Sequence, residues 1–304
     1  MSGMVEHQRG SSRREFFAKK VKSMLPPEFY RDLEVIERMV NTMSRRDVLA
    51  RYAELGTKTV TFELVKPFTF LMRSEDIYEA VMRGYIAPSM FVKYRQCARG
   101  LAIELLSVKE HGGVLVTIDN IRSLLRGVLV HKLYYERYAV GETEVMVVSE
   151  RDAIVGYVDE LRRWGEGAVV IELKSSHRPD VVGSSLQVMA YMLALSGQLE
   201  LPLERVEGYV VSPGATYRVE HDPEVFEEYS KRLRKVVEIA ISGAVDHLPP
   251  RLSSDLSSRC DSCAYRGRCL NLPDNYRTYS RFFNAMGFKR LHQDEGPNLF
   301  RYAT

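Results

Sequence analysis

The stretch that decides the fold is Ala153-Ile-Val-Gly156-Tyr-Val-Asp159-Glu160-Leu-Arg-Arg163-Trp164-Gly-Glu-Gly167-Ala168-Val-Val-Ile-Glu172-Leu-Lys174-Ser175. Two runs rich in β-branched residues flank a glycine-bearing turn, the pattern of a β-hairpin. Reading Trp164-Gly-Glu-Gly167 as the turn pairs Arg163 with Ala168. Counting outward from there sets Asp159 opposite Glu172. Opposed residues on antiparallel strands hold their Cβ atoms roughly 4.5–5.5 Å apart on one face. Lys174, two residues on, shares that face. Val169, Val170, Ile171 and Leu173 predict a buried strand, so its two charges are anomalous. Glu160 competes with Asp159 for the role but points to the other side of the strand.

Two carboxylates so placed repel one another unless a cation lies between them. Carboxylate oxygens suit Mg²⁺ or Mn²⁺. Such an ion polarises a scissile phosphate and generates hydroxide near neutral pH. Lys174 is then placed to orient the attacking water or to neutralise charge developing on the phosphate. The plainer reading is a salt-bridged hairpin, since Glu-x-Lys alone is common; the register with Asp159 weighs against it. His131 could reach the same ion as a neutral imidazole, although a lone histidine is more often structural. Gln187 and Tyr191, four apart on one helix face, could touch a nucleotide, a water or a phosphate. Taken alone they read as surface residues.

Outward from the hairpin, hydrophobic periodicity predicts a helix from Ile118 to about Tyr138, capped near Thr117 or Asp119 and carrying His131. Strands follow at Thr143–Ser149, Ala153–Arg162 and Ala168–Ser175. An amphipathic helix follows at Ser184–Leu195, then strands at Val206–Val211 and Thr216–Val219. Asp222-Pro223-Glu224 opens a helix to about Ile241, as cap, proline at the first turn and acidic start. The order implies a central mixed sheet flanked by helices, an α/β or α+β core. Upstream, Arg13 to about Tyr52 reads as helical, broken at Pro26-Pro27, with Ser44 capping a further helix. Residues from Thr57 alternate as a strand, and Pro88-Ser89 precedes a helix carrying Cys97.

The chain has 304 residues, 45% of them apolar, with 43 Lys and Arg against 40 Asp and Glu, a net of +3. That is enough for one large domain with appendages. It gives no global basic field, so any nucleic-acid surface must be local. No run has the length a bilayer span needs, and the polar N-terminus lacks an apolar signal region. These features predict a cytoplasmic protein with no membrane partner. Disulfides are then unexpected, so the four cysteines need another account. Cys260-x-x-Cys263 and Cys269 lie together, and Cys97 lies far upstream. Four thiolates bind zinc or an iron–sulfur cluster. The spacing is unlike paired zinc-ribbon knuckles, which favours a [4Fe–4S] cluster.

Together, Gly127-x-x-x-His131, Gly156-x-x-Asp159, Glu172-Leu-Lys174 and Gln187-x-x-x-Tyr191 resemble the RecB-like branch of the PD-(D/E)xK nucleases, which have a restriction-endonuclease-like core. One cysteine before the core and three after it resemble the CRISPR-associated exonucleases of the fourth Cas family, as does the region around Ser89 and Cys97-Ala-Arg99. Iron–sulfur nuclease domains of recombination and replication helicases are similar. The resemblance spans about residues 85–270. It implies His131, Asp159, Glu172 and the Leu173 carbonyl as ligands of the divalent metal. It implies Lys174 as the catalytic lysine, with Gln187 and Tyr191 assisting, and Cys97, Cys260, Cys263 and Cys269 as holders of the [4Fe–4S] cluster. The activity implied is exonucleolytic degradation of single-stranded DNA or DNA ends. Its setting would be the trimming of spacer precursors beside the CRISPR integrase, with a homo-oligomer open as the assembly. The alternatives are a recombination or repair nuclease without a CRISPR link, and a non-catalytic DNA-binding subunit. The organisation expected is a helical N-terminal extension at 1–84, the nuclease domain with its cluster-bound C-terminal segment at 85–270, and an aromatic and basic extension at 271–304. That last extension either stacks bases or packs on the core.

Overall fold

In a computed structural model, which describes residues 18–55, 61–66, 69–73, 76–251 and 260–274, the hairpin forms in the expected register. Its strands, Ile154–Trp164 and Gly167–Leu173, pair Arg163 with Ala168 and Glu160 with Ile171. The turn is tighter than expected. Trp164 already pairs with Gly167, which leaves a two-residue loop in which Gly165 takes φ +49°, a left-handed conformation that glycine adopts without strain.

The element order is β1 (Ala18–Val21), α1 (Pro27–Thr42), α2 (Arg45–Leu55), β2 (Thr61–Lys66), β3 (Thr69–Arg73), α3 (Asp76–Met82) and α4 (Met90–His111). It continues with β4 (Val114–Thr117), α5 (Ile118–Arg137), β5 (Glu142–Ser149), the hairpin strands β6 and β7, and α6 (Val181–Gln198). The last elements are β8 (Val206–Val211), β9 (Thr216–Val219), α7 (Pro223–Ser242) and α8 (Arg266–Asn271). A six-stranded sheet runs β1-β9-β8-β7-β6-β5, and a three-stranded one runs β2-β3-β4. In the larger sheet β7 and β8 are parallel and every other neighbouring pair is antiparallel. This is the mixed sheet flanked by helices that the element pattern predicts.

The expected caps form. Thr117 and Asn120 exchange side-chain and backbone bonds in a capping box, Asp222 accepts from the Val225 amide, and Ser44 Oγ accepts from the Asp47 amide.

Three features differ from expectation. Arg13 to Tyr52 is not helical throughout. Residues 18–21 form edge strand β1, with Ala18 opposite Val219 and Val21 opposite Thr216. The apparent helical spacing of Val21 and Met24 is coincidental, because the partner strand lies some 200 residues away in sequence. Lys19 and Lys20 are exposed on that edge rather than on a helix face. Nor are the first 84 residues simply helical. They add β1 to the main sheet, they add β2 and β3, and Phe29 and Leu33 of α1 pack with Ile171, Leu173 and Val211. The strand expected from Thr57 is present as β2 from Thr61, while the other strands of the small sheet, β3 and β4, and helix α3 carry no signal that the sequence reading used. Phe16, Phe17, residues 57–60 and the aromatic and basic stretch from Tyr276 lie outside the described residues.

The third difference is α6, which is not amphipathic. Twelve of its residues are buried, Ser184 through Met192 without a break. It crosses the sheet as a central helix, where only close packing makes room. A Cβ on Gly208 would stand 2.3 Å from Val188 Cγ1 and 2.6 Å from the Met192 sulfur. That glycine lets the helix lie directly on β8.

Candidate active site

At Asp159 the sheet is interrupted on both sides. The β6–β7 ladder ends at Glu160 and Ile171, one step before Asp159 and Glu172 would meet. On the other side, the β5–β6 ladder skips the pair of Asp159 with Glu144, and Glu144 takes φ +52°, an uncommon conformation for a residue with a side chain. Two strands that separate at a carboxylate open space between α5 and α6. The side chains named by the sequence gather there.

On the α6 side, Lys174 Nζ donates to Glu172 Oε1 and to Gln187 Oε1, each at 2.8 Å. Gln187 Nε2 in turn donates to the Tyr191 hydroxyl at 3.3 Å. Glu172, Gln187 and Tyr191 are buried, so the last two are not the surface residues that their spacing alone suggests. Gly156 explains its place in the motif by packing. A Cβ there would lie 2.9 Å from Pro88 Cδ and 3.1 Å from Tyr191 Cε1.

On the α5 side, His131 Nδ1 lies 3.4 Å from Asp159 Oδ1. The backbone N–H of Leu173 donates to Asp159 Oδ2 at 2.7 Å, which ties the carboxylate to β7 across the opening. Sequence reasoning missed Tyr135. Its hydroxyl donates to Asp159 Oδ1 at 3.3 Å and sits 3.2 Å from His131 Nδ1. It holds the histidine and the aspartate as one unit. The available signal was its position four residues after His131 on the same helix. Glu160 does face away. It is fully buried and bonded to Tyr134, Arg162 and the Val140 and Gly141 amides, a structural ion pair. Gly127 has no comparable packing reason, since a Cβ there would meet nothing within 4 Å.

The electrostatics separate the two carboxylates. Burial works against the charge on Asp159, but the His131 imidazole, the Leu173 amide and Lys174 overcome it and hold the carboxyl below its usual range. His131 is raised, because Asp159 outweighs the opposing effect of burial. Glu172 is pushed up to about 7, first by burial and then by the negative charge of Asp159, against the pull of Lys174. Its Oε2 is buried and has no hydrogen-bond partner. A buried carboxylate oxygen without a donor is destabilising, and a hard divalent cation is the group that resolves it. His131, Asp159 and Glu172 therefore suit Mg²⁺ or Mn²⁺. Among the described residues, no three His, Cys, Asp or Glu side chains are arranged to hold a metal as they stand. The reason is visible here: Lys174 and the Leu173 amide occupy oxygens that would have to turn toward an ion.

These shifts set the pH dependence of stability. The folded pKa of Glu172 lies above its unfolded value of 4.5, so the unfolded chain holds fewer protons between about pH 4.5 and 7. Stability therefore falls as pH rises through that window, and the full cost remains above it. In chelator, Glu172→Gln is expected to match wild type below pH 4.5 and to be more stable above pH 7. At roughly 1.4 kcal/mol per pKa unit the gain is up to about 3 kcal/mol. Denaturant titrations across pH check this; a difference that does not change with pH would refute it.

Cys260, Cys263 and Cys269 lie near enough to Cys97 to act on its charge. All four are free and half-buried. Cys97 sits at a break in α4, with φ −166° and ψ 101° inside the helix, and the Gly100 amide donates to its sulfur at 3.1 Å. Across the break, Lys93 bonds Glu104 and the Tyr78 hydroxyl. The Cys97 thiol is pushed up to about 11, by burial first and then by the nearness of Cys263, Cys269 and Cys260. Cys263 is raised likewise. Four thiols are a donor set that suits a thiophilic metal centre, although among the described residues they are not arranged to hold one as they stand.

A mixed sheet whose parting strands present Asp, Glu and Lys, with a buried helix behind them, defines a nuclease core of the PD-(D/E)xK type. The family comparison agrees: residues 116–270, half of the chain, match the model of the PD-(D/E)XK nuclease superfamily. The chain belongs to this superfamily, whose members are typically nucleases that use divalent metals such as Mg²⁺ or Mn²⁺. No curated protein matches it. No helix among the described residues is long and apolar enough to cross a membrane.

Proposed function

We propose that the protein is a divalent-metal-dependent exonuclease of single-stranded DNA, with a [4Fe–4S] cluster on Cys97, Cys260, Cys263 and Cys269. The observation that carries the nuclease reading is the partnerless, buried Glu172 Oε2 beside Asp159 and Lys174. His131, Asp159 and Glu172 would hold the metal, with the Leu173 carbonyl as a further ligand. Bound there, Mg²⁺ or Mn²⁺ would polarise the scissile phosphate and acidify a water.

The chain's own residues do the positioning. Gln187 and Glu172 hold the Lys174 ammonium at a fixed place. From there it neutralises charge that builds on the phosphate in the transition state. Tyr135 keeps His131 aligned with Asp159. Tyr191, behind Gln187, anchors the relay from α6.

Single-stranded ends as substrate, and spacer trimming beside the CRISPR integrase as setting, rest on the motif order and the cysteine arrangement. A recombination or repair role is the alternative setting. The test uses linear and circular single-stranded DNA of one sequence, with Mn²⁺ and with chelator. Linear DNA should shorten from an end only with metal, and circular DNA should persist. Cleavage of the circle would remove the exonuclease reading, and cleavage in chelator would remove the metal. Co-purification with an integrase, and incorporation of trimmed rather than untrimmed fragments, tests the setting.

A further inference from the structure

Arg99 is the largest fully buried side chain of the described residues, 1% exposed. Burying a guanidinium is costly unless every donor is used. Here Nη1 donates to the Pro249 carbonyl at 2.8 Å. Nη2 donates to the carbonyls of Cys269, Leu272 and Pro273 at 3.3, 3.1 and 2.8 Å. The remaining donor, Nε, points at a sulfur, Cys269 Sγ, at 3.2 Å. Among the described residues, no carboxylate is bonded to it. The one bonded partner that becomes an anion as a metal ligand is the Cys269 sulfur.

The place in the chain is equally particular. Arg99 follows the break in α4 at Cys97 by two residues. One side chain thus spans the upstream cysteine's helix and the segment that carries the downstream cysteines. A buried cation whose partners among the described residues are carbonyls and one sulfur fits a site whose negative charge comes from thiolates.

We infer that Arg99 is a positioning residue of the thiolate centre: it orients Cys269 as a ligand, and its N–H···S bond offsets the negative charge of the thiolate-bound cluster. This deepens the iron–sulfur reading and rests on it. Hydrogen bonds and positive charge near the sulfurs favour the reduced, more negative state of such a centre. Losing them lowers the reduction potential. One electron is taken up, supplied in the measurement by a mediated titration with dithionite.

The experiment uses the full chain, purified anaerobically. Iron and sulfide content of wild type tests the cluster reading first; a zinc-bound, colourless protein would overturn that reading by itself. With iron present, the midpoint potentials of wild type, Arg99→Lys and Arg99→Gln are compared. The reduction equilibrium of Arg99→Gln should fall at least about tenfold, a negative shift of about 59 mV for one electron, with Arg99→Lys between the two. A merely structural arginine would lower the melting temperature and leave the potential of the folded, iron-loaded variant unchanged, and that result would overturn the inference. Should the variants not fold, wild type labelled with ¹⁵N-arginine and reduced decides the question. A ¹⁵N hyperfine coupling in its electron–nuclear double resonance spectrum is expected, and its absence overturns the inference.

Discussion

Lys174→Ala is expected to lower the rate of DNA cleavage by about 10³-fold while leaving Mn²⁺ affinity within a few-fold of wild type. Among the described residues Lys174 is the one cation bonded to Glu172, and it also bonds Gln187. Its ammonium is anchored before any substrate arrives. Stabilisation that needs no reorganisation at the moment of reaction is the most effective kind. Removing it should reduce kcat and kcat/KM together, the sign of an interaction made chiefly in the transition state. Metal affinity should hold, because the alanine frees a Glu172 oxygen instead of removing it. Lys174→Arg should rescue little, since a planar fork does not fit the two acceptors that a compact ammonium meets. Isothermal titration with Mn²⁺ and single-turnover cleavage separate the two effects. Undiminished cleavage would end the assignment of Lys174. Lost metal binding would place the lysine in structure instead of catalysis.

Cys263→Ser should lose the cluster and melt roughly 10 °C lower. Residues 97 and 260–269 are far apart in sequence, and a centre that joins them closes a very long loop. The chain-entropy model gives about 4–5 kcal/mol for closing loops of that order, and for a chain of this size each kcal/mol corresponds to roughly 2–4 °C. Serine keeps the size of cysteine, so packing changes little. Wild type stripped of iron should therefore melt with the variant, and iron should restore wild type alone. A variant with full iron and an unchanged melting point would refute the role of Cys263. In that event Arg99 would remain the staple of this segment, through carbonyls alone.

Much of the site can be read from the chain because its parts obey local rules. A turn between two apolar runs sets the hairpin register, and register alone brings Asp159 and Glu172 to the same level. Alternation then places Lys174 beside Glu172. The caps at Ser44, Thr117 and Asp222 follow from side chains that satisfy amides three residues on. Superfamily membership rests on the order of such local motifs.

What could not be read locally depends on partners distant in sequence. A four-residue strand carries little pattern of its own, so β1 is defined only by β9. The burial of α6 comes from the layers on both sides of it, and with it the burial of Gln187 and Tyr191. Tyr135 and Arg99 look ordinary in sequence. One becomes a brace for His131 and Asp159, the other a buried cation on a cysteine, only when the chain closes on itself.

The sequence by itself determined which groups are candidates for chemistry: two carboxylates, a lysine, a histidine and four thiols. The tertiary structure decided their environment. It parted the strands at Asp159, buried Glu172 with one oxygen unpartnered, and set Cys97 at a break in α4 within charge range of the other cysteines. The physical reason is that desolvation and long-range charge belong to the packed protein as a whole, whereas periodicity and capping act over a few residues.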